Sequence, residues 1–273
     1  MNVLVTGSKG YIGKSIINSK IKGINFIEGH RNNINLFDKN CIKEFIEFNK
    51  IDSIIHCAIE GGSRLKNDDS NIFYNNLLIF ENLCHCKNLI HKFINIASGA
   101  EFDRSSDINL KLEEEIFDNT PKDYYGLSKN IISQKAVSIK NFYNLRIFGC
   151  FDENEIETRF IKTCILKSLK NEPITIHEDK IMDFFYLKDL IPVIENILLN
   201  ESLYKDINLS YPIKYKLSEI AKNISLINKS KSKIIIQKNS DLNYNGNYNK
   251  FISLPIKTQG IDKGILTTIS KLQ

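Results

Sequence analysis

The chain has 273 residues, of which 42% are hydrophobic and 25% charged, so it can bury the core of one or two domains. Its net charge of +5 is scattered along the chain and not clustered, which argues against a nucleic-acid-binding protein. The first apolar run covers only residues 3–5, which is too short for a signal peptide or a membrane span, and we expect a cytoplasmic protein without a membrane partner.

Short apolar runs alternate with amphipathic stretches through the first half of the chain, which predicts strands and helices in turn. The predicted strands are residues 2–6, 25–28, 53–57, 92–97 and 144–148, and the predicted helices are residues 11–19, 38–49, 71–86 and 123–140. This order predicts an α/β fold with a doubly wound parallel sheet joined by right-handed crossovers.

Beyond residue 149 the alternation becomes less regular. The predicted elements there are a helix at residues 157–169, strands at residues 174–177 and 183–187, and a helix that ends at Leu199. We therefore divide the chain into residues 1–149, which carry the parallel sheet, and residues 150–273, a smaller α/β region. Within the second part, residues 183–210 are expected to return to the first domain.

The six cysteines stand at irregular spacings, which is typical of reduced thiols and not of a disulfide framework. Cys84, His85, Cys86 and His91 form the one cluster that could be imagined as a metal site. No second paired-cysteine element accompanies it, and the segment has the pattern of a continuous helix. We predict buried free thiols and no metal site.

A glycine-rich turn follows the first predicted strand and opens the first predicted helix. Gly7, Gly10 and Gly13 permit a tight turn, close approach of a pyrophosphate and close packing of the helix, whose N-terminal N–H groups face the phosphate. Lys9 lies between the first two glycines. The context of strand, turn and helix favours a dinucleotide site over an ordinary tight turn.

A tyrosine and a lysine four residues apart share one face of a predicted helix. An ammonium such as that of Lys129, one turn from Tyr125, favours the phenolate and so makes the phenol a better proton shuttle at neutral pH. Tyr124 has no such lysine, because position 128 is serine. Ser98 supplies a hydroxyl at the carboxyl end of the predicted strand that precedes this helix.

These motifs, VTGSKGYIG, IASGAEF and YYGLSK, occur in the order found in the extended short-chain dehydrogenase/reductases, and the chain resembles that superfamily of nucleotide-sugar epimerases, dehydratases and reductases. The resemblance implies a dinucleotide-binding Rossmann domain in residues 1–149 and a substrate-binding region in residues 150–273. It also implies that Tyr125 is the catalytic acid, Lys129 tunes it and holds the ribose, and Ser98 hydrogen-bonds the substrate oxygen.

The same resemblance implies two sets of binding residues. The cofactor would be bound by Gly7, Lys9, Gly10, Tyr11, Ile12, Gly13, Arg31, Asn35, Leu36, Cys57 and Ala58. The substrate, a nucleotide diphosphate sugar, would be bound by Asn76, Gly99 and Arg159. Pairing of two chains through the helix that carries the tyrosine is common in the superfamily, which implies a homodimer.

The two residues after Ser98 indicate which branch of the superfamily the chain resembles. Dehydratases of the superfamily place Asp-Glu there, whereas this chain has Gly99 and Ala100. The segment RNNINLFD, residues 31–38, resembles the GDP-fucose synthase-like 4-keto sugar reductases, which use a cysteine and a histidine for epimerisation. Ala100 stands at the cysteine position and Arg159 near that of the histidine, so the resemblance implies reduction of a keto group at C4 without epimerisation, in the biosynthesis of a surface polysaccharide sugar.

Two alternatives to the reductase function remain. A nucleotide-sugar 4-epimerase would use the same serine, tyrosine and lysine with tightly bound NAD, and a non-catalytic regulator would only sense NADP. The cofactor choice depends on the ribose end of the site, where Lys9 and Arg31 resemble ligands of a 2′-phosphate and imply NADPH. Glu28 would instead accept a hydrogen bond from the 2′-hydroxyl of NAD if its strand ended early.

Overall fold

The computed structural model describes residues 1–62 and 68–273. The strands in these residues are β1 (Asn2–Thr6), β2 (Asn25–Gly29), β3 (Ser53–His56), β4 (Lys92–Ser98), β5 (Ile108–Lys111), β6 (Phe142–Ile147), β7 (Cys150–Phe151), β8 (Ile174–Asp179), β9 (Phe185–Tyr186), β10 (Asp206–Leu209), β11 (Ile234–Asn239) and β12 (Tyr244–Gly246). The α-helices are α1 (Tyr11–Ile17), α2 (Lys39–Phe48), α3 (Ser70–Cys84), α4 (Tyr124–Ser138), α5 (Phe160–Leu169), α6 (Leu190–Leu199), α7 (Leu217–Ile227), α8 (Asn249–Ile252) and α9 (Gly260–Leu272).

The central sheet has six strands in the order β10-β6-β4-β3-β1-β2. Strand β1 pairs in parallel with β2 and β3, so that Val5 lies opposite Glu28 on one side and Ile55 on the other, and β3 pairs in parallel with β4. Because the carboxyl ends of parallel strands lie at one edge of a sheet, residues that follow these strands can form a common site. The predicted α/β fold with a Rossmann-type parallel sheet is confirmed.

The core beside this sheet is apolar and well packed. The side chains of Leu4, Ile54, Phe93 and Phe142 are buried in one cluster, and the rings of Phe93 and Phe142 stack with their centroids 4.3 Å apart. Helix α2 begins where the sequence predicts, because the Asp38 carboxylate accepts hydrogen bonds from the first free N–H groups of the helix.

The chain divides into two compact units. The first comprises Met1–Ser105, Glu113–Arg146 and Val193–Ile207, and the second comprises Ser106–Leu112, Ile147–Pro192 and Asn208–Gln273. In the second unit, β8 pairs in parallel with β11, β5 with β12, and β7 with β9.

Three local predictions are wrong. The predicted strand at residues 183–187 is reduced to β9, because the Asp183 carboxylate accepts hydrogen bonds from Ser210 and Lys214, and a 3-10 turn begins at Leu187. Residues 108–111 lie outside every predicted strand and yet form β5. Helix α3 ends at Cys84, so the cluster around Cys86 is not one continuous helix.

All six cysteines are free thiols. Within residues 1–62 and 68–273, no group of three or more His, Cys, Asp or Glu side chains is arranged to hold a metal ion. In the same residues, no helix has both the length and the apolar composition that a transmembrane helix requires.

Candidate functional site

The glycine turn between β1 and α1 brings three chain segments into close contact. Gly7 has φ +67°, and a Cβ there would lie 2.7 Å from the amide nitrogen of Ala58. A Cβ at Gly13 would overlap the carbonyl oxygen of Gly7, and Gly10 donates a hydrogen bond to that oxygen at 2.9 Å. Only glycine fits at the first and last positions, so the turn forms a backbone-lined cradle. Lys9 is exposed on it.

The end of β3 forms one side of the cradle. Cys57 N–H bonds to the Thr6 carbonyl at 3.2 Å, and Ala58 N–H to the Thr6 hydroxyl at 3.3 Å. Burial raises the pKa of the Cys57 thiol to about 12, so this thiol stays protonated. The neighbouring His56 is buried against Thr6, and burial lowers its pKa to about 3, so it is a neutral imidazole.

Other residues expected at the cofactor lie in the first turn of α1 or after β2. Tyr11 and Ile12 are half-buried in that turn of α1. Asn35 is exposed and accepts a hydrogen bond from the Phe37 N–H at 3.1 Å. Leu36 is partly buried against the core of the first unit.

Arg31 occupies the loop after β2 and reaches the loop after β3. Its Nη2 atom donates to Glu60 Oε1 at 2.8 Å, while Asn75 Nδ2 donates to the other Glu60 oxygen at 2.8 Å. The Arg31 side chain is 86% exposed, so its remaining guanidinium donors face solvent. Glu60 could not be identified from the sequence, since nothing in the local pattern distinguishes it from other loop carboxylates.

Ser98 is the last residue of β4 and caps the turn that follows. Its Oγ atom accepts a hydrogen bond from the Ala100 N–H at 3.2 Å, and its own N–H donates to Glu101 Oε1 at 2.9 Å. This reciprocal arrangement is a capping box, which fixes the first turn after the strand. Gly99 and Ala100 are buried in that turn.

Tyr125 and Lys129 lie one turn apart at the start of α4, as the spacing predicts. Two contacts attach this part of α4 to the end of β4: Gly126 packs so closely on the Ala100 carbonyl that a Cβ would lie 2.7 Å from it, and Lys129 Nζ donates to the Ile96 carbonyl at 2.6 Å. The structure therefore brings Ser98, Tyr125 and Lys129 together at the carboxyl end of β4.

Lys129 is buried as a cation. Burial lowers the pKa of its ammonium to about 8, and the negative charge of Glu101 opposes this change. The ammonium is therefore still mostly protonated at neutral pH, which is the state that favours a phenolate on Tyr125.

Asn76 holds the tyrosine helix to the loop after β3. Its side-chain oxygen accepts from the Glu60 N–H at 2.8 Å, and its Nδ2 atom donates to the Glu60 carbonyl and to Ser128 Oγ. Ser128 Oγ in turn donates to the Tyr125 carbonyl at 2.8 Å. Because the Asn76 side chain is buried and these bonds occupy its amide, it positions its neighbours in this structure.

Gly62, two residues after Glu60, lies against the Tyr125 ring. Gly62 has φ +72°, and a Cβ there would lie 2.9 Å from the ring carbon that bears the hydroxyl. The pair Gly61-Gly62 stands in the loop after β3, and the contact of Gly62 with the Tyr125 ring could not be read from the sequence.

Arg159 belongs to the second unit and is exposed at the N-cap position of α5. Its side chain has no capping hydrogen bond. Its expected role in binding the substrate stays a prediction.

The sequence was compared with family models and with curated proteins, and the first comparison identifies a family. A model of the NAD dependent epimerase/dehydratase family matches residues 3–210. Comparison with curated protein sequences gives no significant match.

Solved structures of nucleotide-sugar enzymes share the fold at low sequence identity. The GDP-mannoheptose C4 reductase MlghC from Campylobacter jejuni, with NADP bound, has a TM-score of 0.83 at 17% identity and covers 99% of this chain and 98% of its own. A GDP-L-fucose synthetase from Naegleria fowleri, bound to NADP, has a TM-score of 0.80 at 17% identity, with coverage of 98% and 91%. The UDP-glucose 4-epimerase of Thermotoga maritima, with UDP-glucose, has a TM-score of 0.80 at 17% identity, with coverage of 100% and 98%.

Proposed function

The chain belongs to the NAD dependent epimerase/dehydratase family, and from that premise we propose that it is an NADPH-dependent reductase of a keto group, at C4, of a nucleotide-linked sugar. Family membership confirms the expectation of an NAD(P)-dependent enzyme. The choice of NADPH, the keto sugar as substrate and a place in the biosynthesis of a surface polysaccharide sugar belong to the proposal.

The observation that carries the proposal is the turn after Ser98. Gly99 and Ala100 have no side chain that could move a proton, and the one acid of the turn, Glu101, is fully buried against Arg146. Elimination of water from a sugar needs an acid and a base close to the substrate. This turn supplies neither, whereas Ser98, Tyr125 and Lys129 suffice for carbonyl reduction.

The residues have separate tasks in the proposed reaction. Bound NADPH supplies the hydride that adds to the carbonyl carbon. Tyr125 donates its phenolic proton to the carbonyl oxygen, so that C=O becomes CH–OH. Ser98 donates a hydrogen bond to the same oxygen, and the Lys129 ammonium stabilises the phenolate that remains on Tyr125.

The glycine cradle fits a dinucleotide. Side chains at Gly7 and Gly13 would collide with neighbouring backbone, so these glycines permit the tight turn that leads into α1, and the N–H groups at the start of that helix are proposed to face the pyrophosphate. Arg159 is proposed to contact the nucleotide diphosphate of the substrate. The expected homodimer also stays a proposal, and the exposed side chains of Tyr74 and Leu78 on α3 and Ile131 on α4 are the apolar surface it would use.

Turnover with nucleotide-linked 4-keto sugars in deuterated water tests the reaction. We expect NADPH oxidation matched by a 4-hydroxy product that carries no solvent deuterium at C3 or C5, because no cysteine stands at Ala100. Absorbance at the nicotinamide band and mass spectrometry of the product measure the two outcomes. Deuterium at either carbon, introduced by this protein alone, would contradict reduction without epimerisation.

NADPH is expected to be preferred over NADH at least tenfold in kcat/KM. One charge-assisted hydrogen bond to a 2′-phosphate is worth roughly 1.5–3 kcal/mol, which corresponds to about tenfold or more. Lys9 and Arg31 are both exposed, and Arg31 retains donors beyond its bond to Glu60. The double variant Lys9→Ala with Arg31→Ala should lose most of the preference, as measured by kcat/KM with each cofactor.

A matched control removes two lysines elsewhere. Lys22→Ala with Lys50→Ala takes away the same charge from exposed positions that precede β2 and β3, at the opposite edge of the sheet. It should keep the preference for NADPH. Equal use of both cofactors by the unaltered protein would instead favour the second candidate function.

That second candidate is a nucleotide-sugar 4-epimerase with tightly bound NAD. It is supported by the same three catalytic residues and by Glu28, an exposed carboxylate on β2. Purified protein that carries bound NAD, and interconverts 4-hydroxyl epimers without net oxidation of NADPH, would identify this function.

A further inference from the structure

We propose that Glu101 is a positioning residue of the catalytic centre, which directs the Ser98 hydroxyl and supplies the counter-charge of Lys129 from within the core. The catalytic meaning of this inference rests on the proposed function. Three groups of contacts carry it, and none of them involves substrate or cofactor.

The first group connects Glu101 to Ser98. Glu101 Oε1 accepts the Ser98 N–H at 2.9 Å, and Ser98 Oγ accepts the Ala100 N–H at 3.2 Å. A serine hydroxyl has one proton to donate and two lone pairs. With one lone pair bound to the N–H inside the turn, the proton remains available for an acceptor outside it, such as a carbonyl oxygen.

The second group prevents Glu101 from turning away. Its other oxygen accepts from Arg146 Nε at 2.7 Å, and both side chains are completely buried. Arg146 also contacts Asp206 at 3.2 Å and lies over the Phe102 ring. Asn130 on α4 donates to the Glu101 carbonyl at 2.9 Å, so both the side chain and the backbone of Glu101 are held.

The protonation states in this network follow from its partners. Burial opposes the charge of Arg146, but Asp206 and Glu101 raise the pKa of its guanidinium, which stays protonated. Burial raises the pKa of the Glu101 carboxyl, and Arg146 opposes that change. An ionised Glu101 therefore depends on the guanidinium at 2.7 Å.

The third group concerns the buried charge of Lys129. Lys129 Nζ donates to the Ile96 carbonyl at 2.6 Å, and the next residue of α4, Asn130, donates to the Glu101 carbonyl at 2.9 Å, so the ammonium and Glu101 belong to the same contact between α4 and the end of β4.

The titratable groups that act on Lys129 include Glu101 after β4, Cys57 after β3 and His56 on β3, and Tyr125 lies one turn before it on α4. Cys57 is protonated and His56 is neutral near pH 7, since burial displaces both pKa values. Of Glu101, Cys57 and His56, Glu101 is thus the one that provides negative charge.

A purely structural role for Glu101 is the competing explanation, and Asp206 offers a matched control. Both Glu101 and Asp206 pair with the Arg146 guanidinium. Asp206→Asn neutralises one of these carboxylates and leaves the Ser98 hydrogen bond unchanged. Glu101→Gln neutralises the other and places an amide against two donors, the Ser98 N–H and Arg146 Nε. Urea unfolding of both variants measures the stability that each loses.

We expect Glu101→Gln to lower kcat for the keto sugar at least tenfold and to move the alkaline limb of the pH profile to lower pH, because Lys129 loses its counter-charge. Asp206→Asn should retain kcat within threefold and leave that limb in place. If the two variants lose stability to the same extent and kcat to the same extent, with one common pH profile, Glu101 is structural and the proposal is overturned.

Hydrogen exchange separates this inference from the proposed function. The amide proton of Ser98 should exchange at least tenfold faster in Glu101→Gln than in Asp206→Asn, since only the former places an amide with one oxygen between two donors, the Ser98 N–H and Arg146 Nε, and so weakens the capping box. Equal protection in the two variants overturns the positioning role even if no sugar is turned over. Absence of turnover by the unaltered protein, with the exchange difference present, would contradict the proposed reaction alone.

Discussion

Replacement of Tyr125 by phenylalanine is expected to lower kcat by at least about 100-fold, because the substitution removes the proposed general acid. The ring lies against Gly62, and its contacts there do not need the hydroxyl. The fold should therefore survive, and the loss should appear in kcat for NADPH oxidation with a 4-keto nucleotide sugar.

Tyr124→Phe is the matched control for this prediction. Tyr124 is the preceding residue, has an exposed side chain and lacks a lysine four positions later. Its substitution should change kcat only slightly. Equal and small effects of the two substitutions would show that Tyr125 is not the acid.

Replacement of Lys129 by methionine is expected to lower activity at least about 100-fold and yet to stabilise the fold. The pKa of Lys129 falls from 10.5 to about 8 on burial, and each unit corresponds to about 1.4 kcal/mol. Keeping the ammonium charged at pH 7 therefore costs the folded protein roughly 3 kcal/mol. Methionine fills a similar volume without this cost.

The pH dependence of that stability difference has a definite sign. A lysine whose pKa is lower in the folded protein binds fewer protons there, so the stability of the unaltered protein rises with pH between about 8 and 10.5. The advantage of Lys129→Met should be largest at pH 7 and shrink towards pH 10 in urea unfolding experiments. A variant less stable than the unaltered protein at pH 7 would mean that the bond to Ile96 and the attraction of Glu101 outweigh desolvation.

The amino-acid sequence alone determined those features of the structure that depend only on residues close together along the chain. Apolar periodicity sets the strands and helices, the spacing of Gly7, Gly10 and Gly13 sets the turn between β1 and α1, and an interval of four residues puts Tyr125 and Lys129 on one helix face. These features depend on backbone geometry over a few residues. They can therefore be read without knowing how the chain packs.

Tertiary structure alone decided which partners these residues have. Arg31 meets Glu60, and Glu101 meets Arg146, across 29 and 45 residues of sequence, and no local pattern pairs them. Burial is likewise a result of packing, and it is burial that lowers the pKa of Lys129 and makes the charge of Glu101 matter to it. The shared helix face of Tyr125 and Lys129 could be predicted because their spacing is local, whereas their electrostatic surroundings could not, because these exist only where distant segments exclude water together.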